Sequence, residues 1–318
     1  MSTIDRREFL GSCVAAGATA AVTSQVMASQ AVAKEEQKPL KRPPVGVFTK
    51  SFQDRPIDEV CRIFRKMGLD GLDLTVRPGG HIEPKDVQEK LPAAVKAAKD
   101  ADMEILFLTT GITTPDATAE RLMATAAEQG ITRIKLGYYR YTEFGTLAKQ
   151  LKDVRRQLAA VAKLGTKHGV LPCVHVHSGP FLPSHGTQLY QVIRDFSPEE
   201  VGAYVDPLHM TVEGARDGWR QGLDLLAPWI RLCSVKNFAF ERGARDERGT
   251  LRWNIRNVPV ADGIAPIPEF VAALKTLGFN GPYSLHSEYK GRHSFKSLDT
   301  DGCIRQTAAD WKYFRELL

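Results

Sequence analysis

The chain has 318 residues, 43% hydrophobic and 25% charged, with a net charge of +6. That is ordinary globular composition with enough apolar residues for a large core, which excludes a disordered or fibrous chain. The lysines and arginines are scattered rather than blocked, so the positive charge reads as a solvated surface that favours anionic partners, and nucleic acid is not an expected one.

Residues 1–33 read as an export signal. Asp5-Arg6-Arg7-Glu8-Phe9-Leu10 has the twin-arginine pattern, an apolar small-residue run covers 11–22, and Val26-Met27-Ala28 and Ala31-Val32-Ala33 both fit cleavage sites. The run is too short to span a bilayer fully, so no stable membrane span is expected after cleavage. The expected location is the periplasm or the medium. The twin-arginine route moves folded proteins, so a metal would be loaded before export. Residues 34–44 form a charged, proline-ended linker.

From Val45 the chain alternates short apolar runs with helical patterns. Strands are expected at 45–48, 71–75, 105–108, 133–136, 171–176, 201–205, 230–235 and 283–285. Helices are expected at 57–67, 84–101, 116–129, 143–168, 220–228, 267–277 and 301–317. Eight such units over about 275 residues predict a single-domain (β/α)8 barrel spanning 45–318. A doubly wound sheet is the alternative, but no GxGxxG follows the first strand. A polar insertion at 240–265 containing Trp253 has the length of a lid. Cys173 and Cys233 sit in strand-like runs and read as small core residues.

In such a barrel the chemistry sits at the C-terminal ends of the strands. The polar residues that fall there are Arg77 and His81 after strand two, and Tyr138, Tyr139 and Arg140 after strand four. His175 and His177 end strand five, Asp206 and His209 follow strand six, Lys236 and Asn237 end strand seven, and His286 and Glu288 end strand eight. His175 and His177 are two apart, as are His286 and Glu288, so each pair shares one face of its strand. His168, His185 and His293 fall elsewhere and read as surface or loop residues.

With those residues placed, the chain resembles the sugar isomerase/epimerase superfamily, the xylose isomerase-like barrels. GLDGLDLTVRPGGH (68–81), HVHSG (175–179), YVDPLH (204–209), SVKNF (234–238) and SLHSEY (284–289) carry the resemblance, and the DLTVRPGGH segment resembles an exported subgroup. The resemblance implies one divalent metal (Mn, Zn, Co, Fe or Mg) held by Glu, Asp, His and Glu from strands five to eight. Asp206, His209 and Glu288 match by position. His175 stands where the strand-five glutamate is expected, and Ser234 where the strand-seven histidine is. One of the two proton-exchanging glutamates is therefore missing.

These readings combine into one expectation. The enzyme would remove a proton next to the carbonyl of a sugar or keto-sugar, with isomerisation or epimerisation as outcome. Keto-glycoside lyase or hydratase chemistry by β-elimination is the alternative, and a degenerate sugar-binding barrel the third reading. Glu288 is the expected base, His175 and His177 the proton carriers, and Lys236 the enolate-stabilising cation. His175, Asp206 and Glu288 are the expected metal shell. Arg77, His81, Tyr139, Arg140, His209 and His286 are the expected substrate contacts. The expected partners are a small carbohydrate and, in a homo-oligomer, further copies of the chain.

Overall fold

The structure is a computed structural model and describes residues 42–318. The signal at 1–33 and the linker up to residue 41 lie outside the described residues. The end of the linker does not hang free: the Arg42 guanidinium donates to both carboxylate oxygens of Asp70 at 2.5 and 3.1 Å and covers the Trp311 ring.

Twelve strands occur among the described residues. They are β1 (Val45–Phe48), β2 (Gly71–Val76), β3 (Glu104–Thr110), β4 (Arg133–Lys135), β5 (Tyr139–Arg140), β6 (Leu171–His175), β7 (Phe181–Leu182), β8 (Gly202–Val205), β9 (Ile230–Val235), β10 (Asn237–Arg245), β11 (Leu251–Val258) and β12 (Tyr283–Leu285). The α-helices are α1 (Ile57–Lys66), α2 (Val87–Asp100), α3 (Ala117–Glu128), α4 (Leu147–His168), α5 (Gly186–Ile193), α6 (Pro207–Gly214), α7 (Gly218–Leu226), α8 (Ile267–Thr276) and α9 (Thr300–Phe314). Eight strands close in the order β1-β12-β9-β8-β6-β4-β3-β2, every pair parallel. This is the (β/α)8 barrel that the strand count predicts. No helix among the described residues is long and apolar enough to cross a membrane.

Parallel barrel strands are covered on both faces and so read as unbroken apolar runs. β1 (VGVF) and β2 (GLDLTV) are buried at every position. The outward side chains pack against the helices in one large core. A separate small cluster, Phe107, Cys173, Tyr204 and Leu232, comes from strands alone and plugs the barrel interior. Cys173 and Cys233 are free and buried, as expected of small core residues, and so are Cys61 and Cys303.

The insertion at 240–265 is a built element rather than a polar loop. β10 and β11 pair antiparallel, with Arg242 opposite Trp253. Asn237 anchors it: its amide nitrogen donates to the Val260 and Ala265 carbonyls, and its side-chain oxygen accepts from the Ala265 N–H. Trp253 is exposed on this hairpin. Sequence periodicity also passed over α5, α6 and the β5–β7 pair. All three are short, which leaves too few turns for a helical or strand period to show.

Candidate active site

The site is built by strand ends. β8 runs almost directly into α6, and Asp206, the one residue between them, is the helix N-cap. Its Oδ1 accepts from the His209 N–H at 3.2 Å, and Pro207 takes the first helical position, where its missing N–H costs nothing. The DPLH turn therefore leaves Oδ2 of Asp206 aimed inward while Oδ1 caps the helix. After β6, Gly179 adopts φ +85, a conformation that favours glycine, and turns the chain so that His177 and Ser178 face the same space as His209.

Four of the expected residues meet around Lys236. Its ammonium donates to His209 Nε2 at 2.9 Å and to Glu288 Oε2 at 3.3 Å, and lies 3.2 Å from Asp206 Oδ2. His175 Nε2 approaches the same Asp206 oxygen at 3.1 Å. Burial alone would neutralise these groups, and it is the largest single influence on each. Asp206 and Glu288 nevertheless lift the Lys236 ammonium above the usual lysine range. Lys236 in turn holds both carboxyls well below the usual carboxylate range, helped at Asp206 by the hydrogen bond from His175 and at Glu288 by Lys50. Burial, with Lys236 beside it, pushes His209 far down, and burial does the same to His175, so both rings are neutral.

These charge states fix the imidazole tautomers. An ammonium has only hydrogens to offer, so His209 Nε2 carries the lone pair, and its Nδ1–H donates to Ser178 Oγ at 2.9 Å. An ionised carboxylate only accepts, so His175 donates from Nε2 to Asp206. Its Nδ1 lone pair then accepts from the Tyr138 hydroxyl at 3.2 Å. A carbonyl also only accepts, so His177 donates from Nδ1 to the Ser178 oxygen at 3.1 Å. Burial and then Lys236 push His177 down to about 4, so its ring is neutral too, and its Nε2 lone pair has no protein partner. Of these three rings, His177 alone keeps an open nitrogen.

His286 takes part through Nε2, which is 2.9 Å from the Tyr204 hydroxyl; its ring stacks on Phe48. Its Nδ1 is 3.6 Å from Glu288 Oε2, beyond hydrogen-bond reach. Arg77 lies 5.6 Å above the same Phe48 ring and forms no ion pair among the described residues. Arg140 is exposed and covers the Phe181 ring.

Two expected contacts are not brought to this cluster. His81 donates from Nε2 to the Arg55 carbonyl and lines a groove between α1 and α2. Tyr139 is buried with its hydroxyl on the Thr113 carbonyl, because β5 turns it toward the β7 pair. Its neighbour Tyr138 is the tyrosine that faces the histidines, with its ring 4.9 Å from those of His177 and Phe181.

Three residues of the site went unnoticed in the sequence. Lys50 follows β1 and donates to Glu288 Oε1 at 2.5 Å; a charged residue just past a strand is the same signal that marked the others. Asp73 is fully buried inside β2, accepting from Thr109 Oγ1 at 2.6 Å and Ser284 Oγ at 2.9 Å. Lys135 is buried inside β4, 3.5 Å from the Tyr138 ring centroid, and its Nζ has no hydrogen-bond partner. A lone charge inside an apolar strand was the available clue for the last two.

A closed parallel barrel whose C-terminal strand ends bring two carboxylates, two lysines and four histidines together defines the class: an enzyme-type (β/α)8 barrel with an ionic site at its mouth. The chain belongs to the xylose isomerase-like TIM barrel family, whose model matches residues 61–312. Solved structures share the fold at low identity. D-psicose 3-epimerase with D-tagatose from Clostridium cellulolyticum H10 is 14% identical, covering 86% of this chain and 99% of its own, with a TM-score of 0.64. A 3-keto-D-glucoside 4-epimerase from E. coli is 15% identical, covering 86% and 100%, also at 0.64. A xylose isomerase-like barrel from Mycobacterium smegmatis in complex with magnesium is 14% identical, covering 87% and 98%, at 0.60. A comparison with curated protein sequences found no match.

The divalent metal that the family implies does not fit these residues as they stand. Metal ligation needs open lone pairs. Those of His175 and His209 are taken by Tyr138 and Lys236, and the ammonium of Lys236 lies between the two carboxylates. Among the described residues no three His, Cys, Asp or Glu side chains converge on a metal position.

Proposed function

We propose that this protein is an exported sugar isomerase/epimerase-like enzyme that removes a proton from the carbon beside the carbonyl of a sugar or keto-sugar. The family and the neighbouring sugar epimerases support the class. The twin-arginine pattern supports export. The observation that carries the chemistry is an open imidazole nitrogen, His177 Nε2, on a ring 3.8 Å from that of His209, which in turn accepts from the buried Lys236 ammonium.

In this reading His177 Nε2 takes the proton, and the electron pair moves onto the carbonyl oxygen. Lys236 meets that developing charge. Its longest contact, 3.3 Å to Glu288, is the one a substrate oxygen displaces. Glu288 was the expected base. Held between Lys50 and Lys236, it is a weak one, and it serves instead to orient both ammoniums. Arg77 and Arg140 supply donors for hydroxyl or carboxylate groups at the mouth.

A second reading has a specific observation behind it. Epimerisation by two opposed bases needs two open proton carriers, and His175 has both nitrogens engaged. A single carrier suits β-elimination from a keto-glycoside, where the imidazole that took the proton returns it to the leaving oxygen.

Incubation in D2O with ketoses, aldoses and 3-keto-glycosides tests both readings. Expected is solvent deuterium at the carbon beside the carbonyl, read by mass spectrometry and abolished in His177→Ala. Epimer formation selects the first reading, and an unsaturated product selects the second. No exchange with any member of the panel would overturn the proposal.

A further inference from the structure

We infer that Lys236 is the resident cation of this barrel, its ammonium standing where a divalent metal would sit, so that the native protein holds no metal in this site. The inference rests on the proposed function only for what the cation does; where it sits is a matter of geometry.

Counting donors and acceptors is the first argument. An ammonium has three hydrogens. Lys236 has three acceptors within reach, Asp206 Oδ2 at 3.2 Å, Glu288 Oε2 at 3.3 Å and His209 Nε2 at 2.9 Å, the first and last from the end of β8 and Glu288 from the end of β12. The group is satisfied, with no hydrogen spare and no water needed.

Charge is the second. Asp206 and Glu288 bring two negative charges, and Lys236 and Lys50 bring two positive ones. The cluster is already neutral. A divalent ion would leave two uncompensated positive charges in a space where Lys236 is only 7% exposed and Asp206 is fully buried.

The third is directional. Bonds of about 2.0–2.2 Å to nitrogen and oxygen need lone pairs pointing at a common centre. Here His175 turns a hydrogen toward Asp206, and its lone pair faces Tyr138. Ser234, buried beside them on β9, has a hydroxyl without a partner and is a poor ligand in any case. Asp206, Glu288 and His209 are nonetheless a tripod of ligand-type residues around one centre, spaced at 2.9–3.3 Å for the ammonium, and would have to draw in by about 1 Å to hold a metal in its absence.

That gives the test. The full chain, purified without chelator, is measured by elemental mass spectrometry and titrated calorimetrically with Mn2+ and Zn2+, beside Lys236→Met. Expected is no bound metal in the wild type. In Lys236→Met the vacated tripod gains Mn2+ or Zn2+ affinity by at least about tenfold, with a melting temperature that rises on metal addition. Lys236→Gln serves if the Met variant does not fold. About one equivalent of metal in the wild type overturns the inference, and so does a folded variant that gains no affinity, since the ammonium would then occupy no metal position. Uptake is read without turnover, so a failed substrate screen counts against the proposed reaction and leaves this assignment standing.

Discussion

His209 and Lys236 share one hydrogen bond, 2.9 Å from Nζ to Nε2, and through it the lysine sets the histidine's tautomer. The ring is thereby forced to give its Nδ1 hydrogen to Ser178, in the turn that carries His177. A residue at the end of β9 thus controls the placement of a loop after β6. His177 and His209 then lie with ring centroids 3.8 Å apart, so the open imidazole is backed by one whose two nitrogens are both engaged.

Removing the cation is therefore expected to be costly. In Lys236→Met, Asp206 and Glu288 lose their shared counter-ion, and Asp206 is fully buried. Breaking a buried pair by deleting one partner costs about 3–5 kcal/mol, and the partial exposure of Glu288 places this case at the lower end. Denaturant unfolding checks it. A loss under about 1 kcal/mol would mean that the carboxylates are solvated or protonated, and the ionic site drawn above would be wrong.

The two neighbouring histidines should separate cleanly. His177→Ala removes a partly exposed ring bonded only to the adjacent carbonyl, so stability changes by about 1 kcal/mol or less while proton exchange falls roughly 10²–10⁴-fold. His175→Ala strands the Tyr138 hydroxyl and one Asp206 contact in a buried space, costing about 1–3 kcal/mol. Equal stability losses with equal exchange losses would reject the division of roles between them.

Tyr138→Phe probes the same tautomer from the other side. Without the hydroxyl, His175 Nδ1 has no donor, and the ring is free to pair differently with Asp206. A stability cost of about 0.5–1.5 kcal/mol is expected, together with a fall in kcat at little change in KM. A changed KM with unchanged kcat would instead place Tyr138 in sugar binding.

Much of this was legible in the chain. The eight barrel strands fall where they were expected, most of them on apolar runs, because a parallel strand buried on both faces is mostly apolar; β4, Arg133-Ile134-Lys135, is the exception. The site residues could be located because a barrel fixes which end of each strand carries polar groups. What stayed hidden is direction. His81 and Tyr139 occupy the right stretches, yet loop conformation turns one toward the Arg55 carbonyl and the other toward Thr113. Sequence also could not say that Lys236 would lie among the ligand-type residues rather than beside them. That depends on how far a long flexible side chain reaches between strand units.

Lys135 offers the clearest dependence on pH. It is buried in β4 without a hydrogen-bond partner, and burial, helped by Arg77, holds its amine well below the usual lysine range. In the unfolded chain the same group titrates near 10.4. Between its folded value and that point the unfolded state binds the extra proton, so wild-type stability rises with pH across the window and falls as pH drops through it. Above the window both states are neutral, and the penalty vanishes. Lys135→Met fills the space with an unbranched apolar chain and has no such slope. The variant is expected to be more stable than wild type by about 1 kcal/mol at pH 7, since the lost contact with the Tyr138 ring offsets part of the gain. That advantage should shrink steadily toward pH 10. Urea midpoints of both proteins from pH 6.5 to 10 check it. Parallel curves would show that the amine is solvated in the native state, and a variant less stable than wild type throughout would show that the ammonium on Tyr138 stabilises the barrel more than its burial costs.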